Sequence, residues 1–472
     1  MSPDKDGAIS LHYSCSKVHL EFSQLLIDEY EKCKSESDPP LPTIHDKDEH
    51  THLAAAVQNN QLDVVRWLAR IDPEGMKTRN KVKSSVLHHA AVVGNIEIAS
   101  VFLELLKPSD KCALIISPDK DGAISLHYSC SKGHLEFSQW LIDEYEKCKS
   151  KSDPPLPTIH DKDEDTPLAF DVLNNQLDVV RWLARIDPEG MKTRNKVKSS
   201  VLHHAAVVGN IEIASVFLEL LELSDKCALI ISPDEHGAIS LHYSCLKGHL
   251  EFSQWLIDEY EKCKSESDPP LPTIRDKDEH THLAAAVQNN QLDVVRWLAR
   301  IDPEGMKTRN KVKSSVLHHA AVVGNIEIAS VFLELLKPSD KCALIISPDK
   351  DGAISLHYSC SKGHLEFSQG LIDEYEKCKS KSDPPLPTIH DKDEDTPLAF
   401  DVLNNQLDVV RLLASIDPEG MKTRNKVKRS VLHHAAVVGN IEIASVFIEL
   451  LKPSDKCALI ISPDKHGAIS LH

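Results

Sequence analysis

The sequence predicts an all-α solenoid built from helix–turn–helix repeats. Three observations predict it. The decapeptide Val-Leu-His-His-Ala-Ala-Val-Val-Gly-Asn begins at Val86, Val201, Val316 and Val431, a step of 115 residues. Inside each 115 lie three smaller, diverged repeats, whose anchoring leucines in the second copy (Leu126, Leu168, Leu202, then Leu241) are 42, 34 and 39 residues apart. Each repeat reads as a short helix, a turn at Gly or Asn, and a second helix that is apolar on most faces. A one-dimensional stack tolerates close duplication because each repeat touches only its neighbours.

The boundaries follow from the period. Four triplets are expected at 2–116, 117–231, 232–346 and 347–461, with 462–472 starting a further repeat. Triplets one and three share Glu-His-Thr-His-Leu-Ala-Ala-Ala (from Glu49 and Glu279). Triplets two and four share Glu-Asp-Thr-Pro-Leu-Ala-Phe-Asp (from Glu164 and Glu394), so the array is a 230-residue pair, duplicated.

The elements of the second triplet follow in order. Thr166 before Pro167 suits a helix start: the hydroxyl accepts an orphan amide and Pro tolerates the first helical position. Gly133 and Gly209 end first helices, as glycine takes the left-handed conformation there, and Asn174-Asn175 fills that place in the second repeat. The second helices open at Leu135, Leu177 and Ile211; in 177–183 the polar stripe is Asp178 and Arg181. Two insertions lengthen the spacing. One, from Glu146 to Ile159, extends a second helix and breaks it at Asp153-Pro154. The other surrounds Lys107–Ile116, and its Ala-Leu-Ile-Ile is expected to fold back on the stack.

Composition excludes several classes. With 54 Lys+Arg against 72 Asp+Glu, the net charge of -18 repels phosphate backbones, so nucleic acid is not an expected partner. Hydrophobic residues make up 41% but aromatics only 5%, so the core is Leu, Ile, Val and Ala. No apolar run approaches the ~18 residues of a membrane helix, and no apolar leader opens the chain. The 12 cysteines fall three to a triplet (Cys112, Cys130, Cys148), without a CxxC pair. That spacing follows from the duplication, and the expectation is a cytoplasmic protein with reduced thiols.

Thr166-Pro167-Leu168, Leu202-His203-His204-Ala205-Ala206, Gly133-His134 and Gly209-Asn210 resemble parts of the ankyrin-repeat signature. The resemblance covers twelve repeats and nearly the whole chain, and is weakest in each second repeat. It implies a non-catalytic scaffold for protein–protein interaction. It also implies that His127 and His203 tie turns together by hydrogen bonds, with Cys130 at a small buried position.

His127, Cys130 and His134 are spaced closely enough to suggest zinc, but the signature accounts for all three, and neither metal nor cofactor is expected. His204 is expected to face outward. Without a recurring nucleophile and orienting acid, a phosphate-cradling loop, HExxH or GxSxG, no enzymatic chemistry is expected. Pro154-Pro155-Leu156-Pro157 recurs in every triplet and reads as a stiff connector or as a ligand for a WW-like domain.

The resemblance places partners on the concave face, made of turn tips and first helices. In the first repeat these positions are Lys120, Asp121, Ala123, Ser131 and Lys132. In the second they are Lys162, Asp163, Asp165, Leu173 and Asn174. In the third they are Lys196, Val197, Ser199, Val207 and Val208. Val207-Val208 reads either as an apolar contact spot in a charged groove or as a pair packed beneath a neighbouring turn. The alternatives to a free scaffold are a regulatory or targeting segment of a larger channel, kinase or ubiquitin ligase, and a self-associating stack.

Overall fold

The computed structural model describes residues 3–17 and 19–470; Ser2 of the first expected triplet and Leu471-His472 of the last segment lie outside them. Among the described residues there are 28 α-helices and no strand, the one isolated β-bridge joining Arg309 and Ser315. Two compact bodies are present, Met1–Glu235 and His236–His472.

In the first body the helices are α1 (Ser10–Ser16), α2 (Leu20–Cys33), α3 (His52–Gln58), α4 (Leu62–Ile71), α5 (Val86–Val93), α6 (Ile96–Leu105) and α7 (Pro108–Ile115). The second triplet repeats them as α8 (Ser125–Ser131), α9 (Leu135–Cys148), α10 (Pro167–Leu173), α11 (Leu177–Ile186), α12 (Val201–Val208), α13 (Ile211–Leu220) and α14 (Leu223–Ile230). The first helices of successive repeats pack in chain order, α1 on α3, α3 on α5, α5 on α8, α8 on α10 and α10 on α12. The second helices make another layer, with α4 on α6 and α11 on α13. The second body repeats this pattern.

The anchoring leucines Leu126, Leu168 and Leu202 are buried, as are Val179, Val180 and Leu183 of α11 and Ile213, Ala214 and Phe217 of α13. Burying one such side chain is worth about 1.5–3 kcal/mol. Asp178 and Arg181 form the exposed stripe, as expected. Gly209 closes α12 at φ 79°, and Asn175 takes the same left-handed geometry at φ 61°.

Several local expectations are corrected. Thr166 is the N-cap of α10 with Pro167 at the first turn, but its hydroxyl accepts nothing from the helix and is buried without a partner. In the first triplet Thr51 does cap, accepting from the Ala54 N–H at 3.1 Å. The extended second helix α9 ends at Cys148, before Asp153, because Lys149 turns to extended backbone. Ala-Leu-Ile-Ile folds onto the stack with Leu114 and Ile115 buried, but as part of a further helix, α7, with Pro108 in its first turn.

The expectation of reduced thiols is also corrected: Cys112, Cys148, Cys227, Cys263, Cys342 and Cys378 are disulfide-bonded. Cys112 on α7 is bonded to Cys148 on α9, and Cys342 to Cys378 in the second body. The extra helix brings each pair to a Cα–Cα separation of 5.8 Å, which the spacing of the cysteines alone does not reveal. Each bond closes a 36-residue separation, for which chain-entropy arguments give about 3–4 kcal/mol. Cys112→Ser is therefore expected to speed hydrogen exchange in Pro108–Ile115 and the end of Leu135–Cys148, with the rest of the array unchanged. Unchanged protection in both helices would show that the bond constrains nothing.

Candidate protein-interaction surface

Each repeat begins in a finger, a tight turn projecting from the first helix. Asp119 Oδ1 accepts from the N–H groups of Asp121 (2.8 Å) and Ala123 (3.0 Å), and Asp161 Oδ1 accepts from Asp163 and Asp165 (2.9 Å each). The fourth finger position is left-handed throughout, at Gly122 (φ 90°), Glu164 (φ 64°) and Lys198 (φ 60°). At Gly122 glycine is also required by proximity, because a Cβ would lie 2.6 Å from the Lys162 amide nitrogen.

Backbone bonds join successive fingers. Lys120 N–H donates to Val82 O (2.8 Å), Lys162 N–H to Asp121 O (2.9 Å), Lys196 N–H to Asp163 O (2.9 Å) and Glu235 N–H to Val197 O (2.8 Å). The second body carries the same ladder, including Lys350 to Val312 O and Lys392 to Asp351 O (2.9 Å each).

Beneath the fingers runs a line of buried histidines, as the signature implies. His127 Nδ1 accepts from the Ile124 N–H (3.2 Å), so its proton sits on Nε2 and is donated to Asp165 O of the next finger (3.2 Å). His88 receives the Ser85 N–H (3.1 Å) and donates to Ala123 O (3.1 Å). His203 receives the Ser200 N–H at 3.1 Å. Burial lowers the pKa of His127 and His357 to about 4, keeping both rings neutral.

The sequence-predicted positions separate on this frame. Lys120, Asp121, Lys132, Lys162, Asp163, Asn174 and Lys196 are exposed, and Leu173 and Val197 are each 41% exposed. Ser131 is half-buried. The Lys162 ammonium folds onto Lys120 O. Ala123 and Ser199 are buried, and half-buried Asp165 accepts from Asn195 Nδ2 (3.0 Å), so these three belong to the frame of the fingers. Val207 and Val208 are half-buried, between the two readings, while the equivalent Val92 and Val322 are 38% and 40% exposed.

The outward orientation of His204 is corrected. Its side chain is 12% exposed and Nε2 lies 3.4 Å from Asp165 Oδ1. The WW-like ligand is corrected as well. Leu156 and Pro157 are buried, Leu156–Thr158 is a 3-10 turn, and Tyr145 Oη donates to Pro154 O at 3.2 Å. A polyproline reader needs an accessible extended helix. Of the zinc candidates, His127 is engaged at both nitrogens, Cys130 is buried against Ser138 Oγ (3.7 Å), and His134 Nε2 bonds Val92 O (3.0 Å).

Two buried features escaped the sequence reading. Asp171 and Asp401 are fully buried, faced only weakly by the Cys130 and Cys360 thiols, and burial holds both carboxyls well above the usual range. The matching residues in triplets one and three are Ala56 and Ala286. In those triplets His12 stacks on His52 and His242 on His282, each at 3.8 Å between ring centres. Burial pushes His52 down to about 3.

A family model described as ankyrin repeats (3 copies) matches residues 71–153, 168–268, 223–307 and 283–383. The chain belongs to the ankyrin-repeat family. This ankyrin array is similar to mouse synphilin-1, 26% identical over 142 residues, covering 30% of this chain and 14% of that protein. It is similar to the human transient receptor potential cation channel subfamily A member 1, 22% identical over 512 aligned positions, 98% of this chain and 40% of the channel. The probable 26S proteasome regulatory subunit p28 of Saccharomyces cerevisiae is 26% identical over 209 residues, 44% of this chain and 85% of that subunit. The array thus spans well under two thirds of the first two of these relatives.

Two predictions follow from the buried groups. A histidine whose folded pKa is depressed binds its proton more readily when unfolded, so its contribution is complete above about pH 6.5 and is lost as pH falls toward about 4. Hydrogen exchange at pH 5 is expected to rise first in His52–Gln58 and Val86–Val93, where His52, His88 and His89 are all depressed. Pro167–Leu173, where a raised aspartate offsets the effect, should respond less, and equal responses would contradict this. Asp171→Ala is expected to stabilise the second triplet by about 1–2 kcal/mol at pH 7, with the gain shrinking as pH falls toward the carboxylate range. Urea unfolding at pH 7 and pH 4 measures it.

Proposed function

We propose that the array is a non-catalytic scaffold that binds protein partners across the face formed by its finger tips and first helices. The observation carrying this reading is the finger ladder. Main-chain groups of the fingers are paired with one another, so the backbone is held while Lys120, Lys196, Leu173 and Val197 project side chains outward. A held backbone lowers the ordering cost of association. Aliphatic and cationic side chains on one acidic protein offer both apolar contact and charge selection. Because Lys-Val recurs at the third-repeat finger of every triplet (Lys81-Val82, Lys196-Val197, Lys311-Val312, Lys426-Val427), an elongated or multivalent partner is favoured over a small ligand.

A second reading has its own support. The alignment with the human channel takes in 98% of this chain but 40% of the channel, consistent with a regulatory or targeting segment of a larger protein. Among the described residues, no helix is long and apolar enough to cross a membrane. Cytoplasmic placement belongs to the scaffold reading. It carries a redox requirement: the array must stand when Cys112 and Cys148 are reduced.

The test is affinity capture with the 472-residue chain, comparing wild type with a variant carrying Leu173→Asp, Val197→Asp and Val207→Ser. At unchanged helicity, the captured partner's affinity should fall at least tenfold, about 1.4 kcal/mol. Full capture at unchanged helicity rejects the finger face, and lost helicity would place these side chains in the core.

A further inference from the structure

In the first three triplets the extra helix creates a cavity at the base of the third-repeat finger. Its floor in the first triplet is Leu106, Ala113 and Leu114, and its rim carries Lys77, Arg79 and Asp110. Ser85 and Ser117 complete the wall. The cavity recurs with matching residues, around Lys192, Arg194 and Asp225 in the second triplet and around Lys307, Arg309 and Asp340 in the third. The volumes are about 240, 210 and 160 Å³. Such cavities lie below the ~300–1,000 Å³ of drug-sized ligands and suit a single residue.

One polar group here lacks a partner. Ser117 is 4% exposed and its Oγ makes no hydrogen bond. Arg79 Nη1 donates to Pro118 O (2.6 Å) and Arg194 Nη2 to Pro233 O (2.9 Å), which holds each guanidinium beside its cavity. Unpaired buried donors are costly and call for an acceptor.

The charges narrow the ligand. Lys77 Nζ lies 3.6 Å from Asp110 across the rim, with 3.0 Å for Lys192–Asp225 and 3.2 Å for Lys307–Asp340, and each lysine also pairs with a glutamate outside the cavity, Glu74, Glu189 or Glu304. A bare anion leaves the aspartate unpaired and repelled, and a bare cation does the same to the lysine and arginine. A ligand with both an acceptor and a donor replaces the ion pair without stranding either charge. The apolar floor demands an aliphatic group beside them.

We propose that each cavity captures the C-terminal residue of a polypeptide, one with an aliphatic side chain. The α-carboxylate takes Lys77, Arg79 and the Ser117 hydroxyl. The last amide N–H donates to Asp110, and the side chain lies on Leu106, Ala113 and Leu114. The site lies at the base of the finger, and none of the three side chains changed in the finger variant lines it.

The probe is a fluorescein-labelled pentapeptide, Gly-Ser-Gly-Ser-Leu with a free carboxylate, titrated into the full chain by fluorescence anisotropy. Saturable binding is expected, weakened at least tenfold when the peptide is C-terminally amidated and at least fivefold when its last residue is Gly. Acetate at equal concentration should not displace it. Leu114→Asp together with Leu229→Asp and Leu344→Asp should abolish binding, and Asp110→Asn, Asp225→Asn and Asp340→Asn together, a set that leaves the floor untouched, should weaken it. Equal binding of the amide, displacement by acetate, or no binding up to millimolar peptide each overturns the proposal.

Discussion

The array depends on a neutral imidazole held between two backbones. Each signature histidine takes an N–H from the start of its own first helix and gives its other proton to a carbonyl of the following finger. One ring therefore fixes the helix start, the tautomer and the position of the next repeat together. Burial makes the bond effective, because little water competes, and also requires the ring to stay uncharged. The tie recurs at two of the three steps in a triplet; at the second repeat, where Ala169 follows the anchoring leucine, the finger ladder and the packing of first helices carry the stack alone.

Much of this was legible in the sequence because it is local. The histidine sits at a fixed offset from the helix start, the turn residue takes φ > 0, and the anchoring leucine is apolar wherever the repeat recurs. Gly209 and Asn175 were readable because few residues accept the left-handed conformation. The exposed tips Lys120, Lys162 and Lys196 were readable from the turn that precedes each helix. What escaped was set by packing between repeats. Cys112 and Cys148 meet only because an unanticipated helix carries one toward the other. His204 lies inward, with Nε2 3.4 Å from Asp165 of the preceding finger, a proximity set between repeats. Leu156 and Pro157 look like a ligand in one dimension but serve as a plug in three.

The two triplet types differ by a coupled exchange. Triplets one and three place His52, Ala55 and Ala56 where two and four place Pro167, Phe170 and Asp171. Where His52 stacks on His12, a small alanine suffices beside it; where proline removes that ring, Phe170 meets His127 edge-on at 4.9 Å. The volume is kept by moving an aromatic ring from one helix position to another, as close packing requires. Asp171 is the unexplained member of the set: the Cys130 thiol faces it, but nothing in the structure accounts for a carboxyl there.

These exchanges have a period of 230 residues and lie largely in the interior, whereas the third-repeat finger and the rim of the extra-helix cavity recur every 115. Interior substitutions that preserve volume leave the surface unmoved, because the finger ladder positions every repeat, the second ones included. A partner reading the fingers meets Lys-Val at every triplet, whichever core lies beneath. The two kinds of core instead differ in their response to protons: stacked histidines resist protonation in one, and a buried carboxyl resists ionisation in the other. A stack assembled from both alternates in acid sensitivity along its length while presenting one recurring chemistry on its surface.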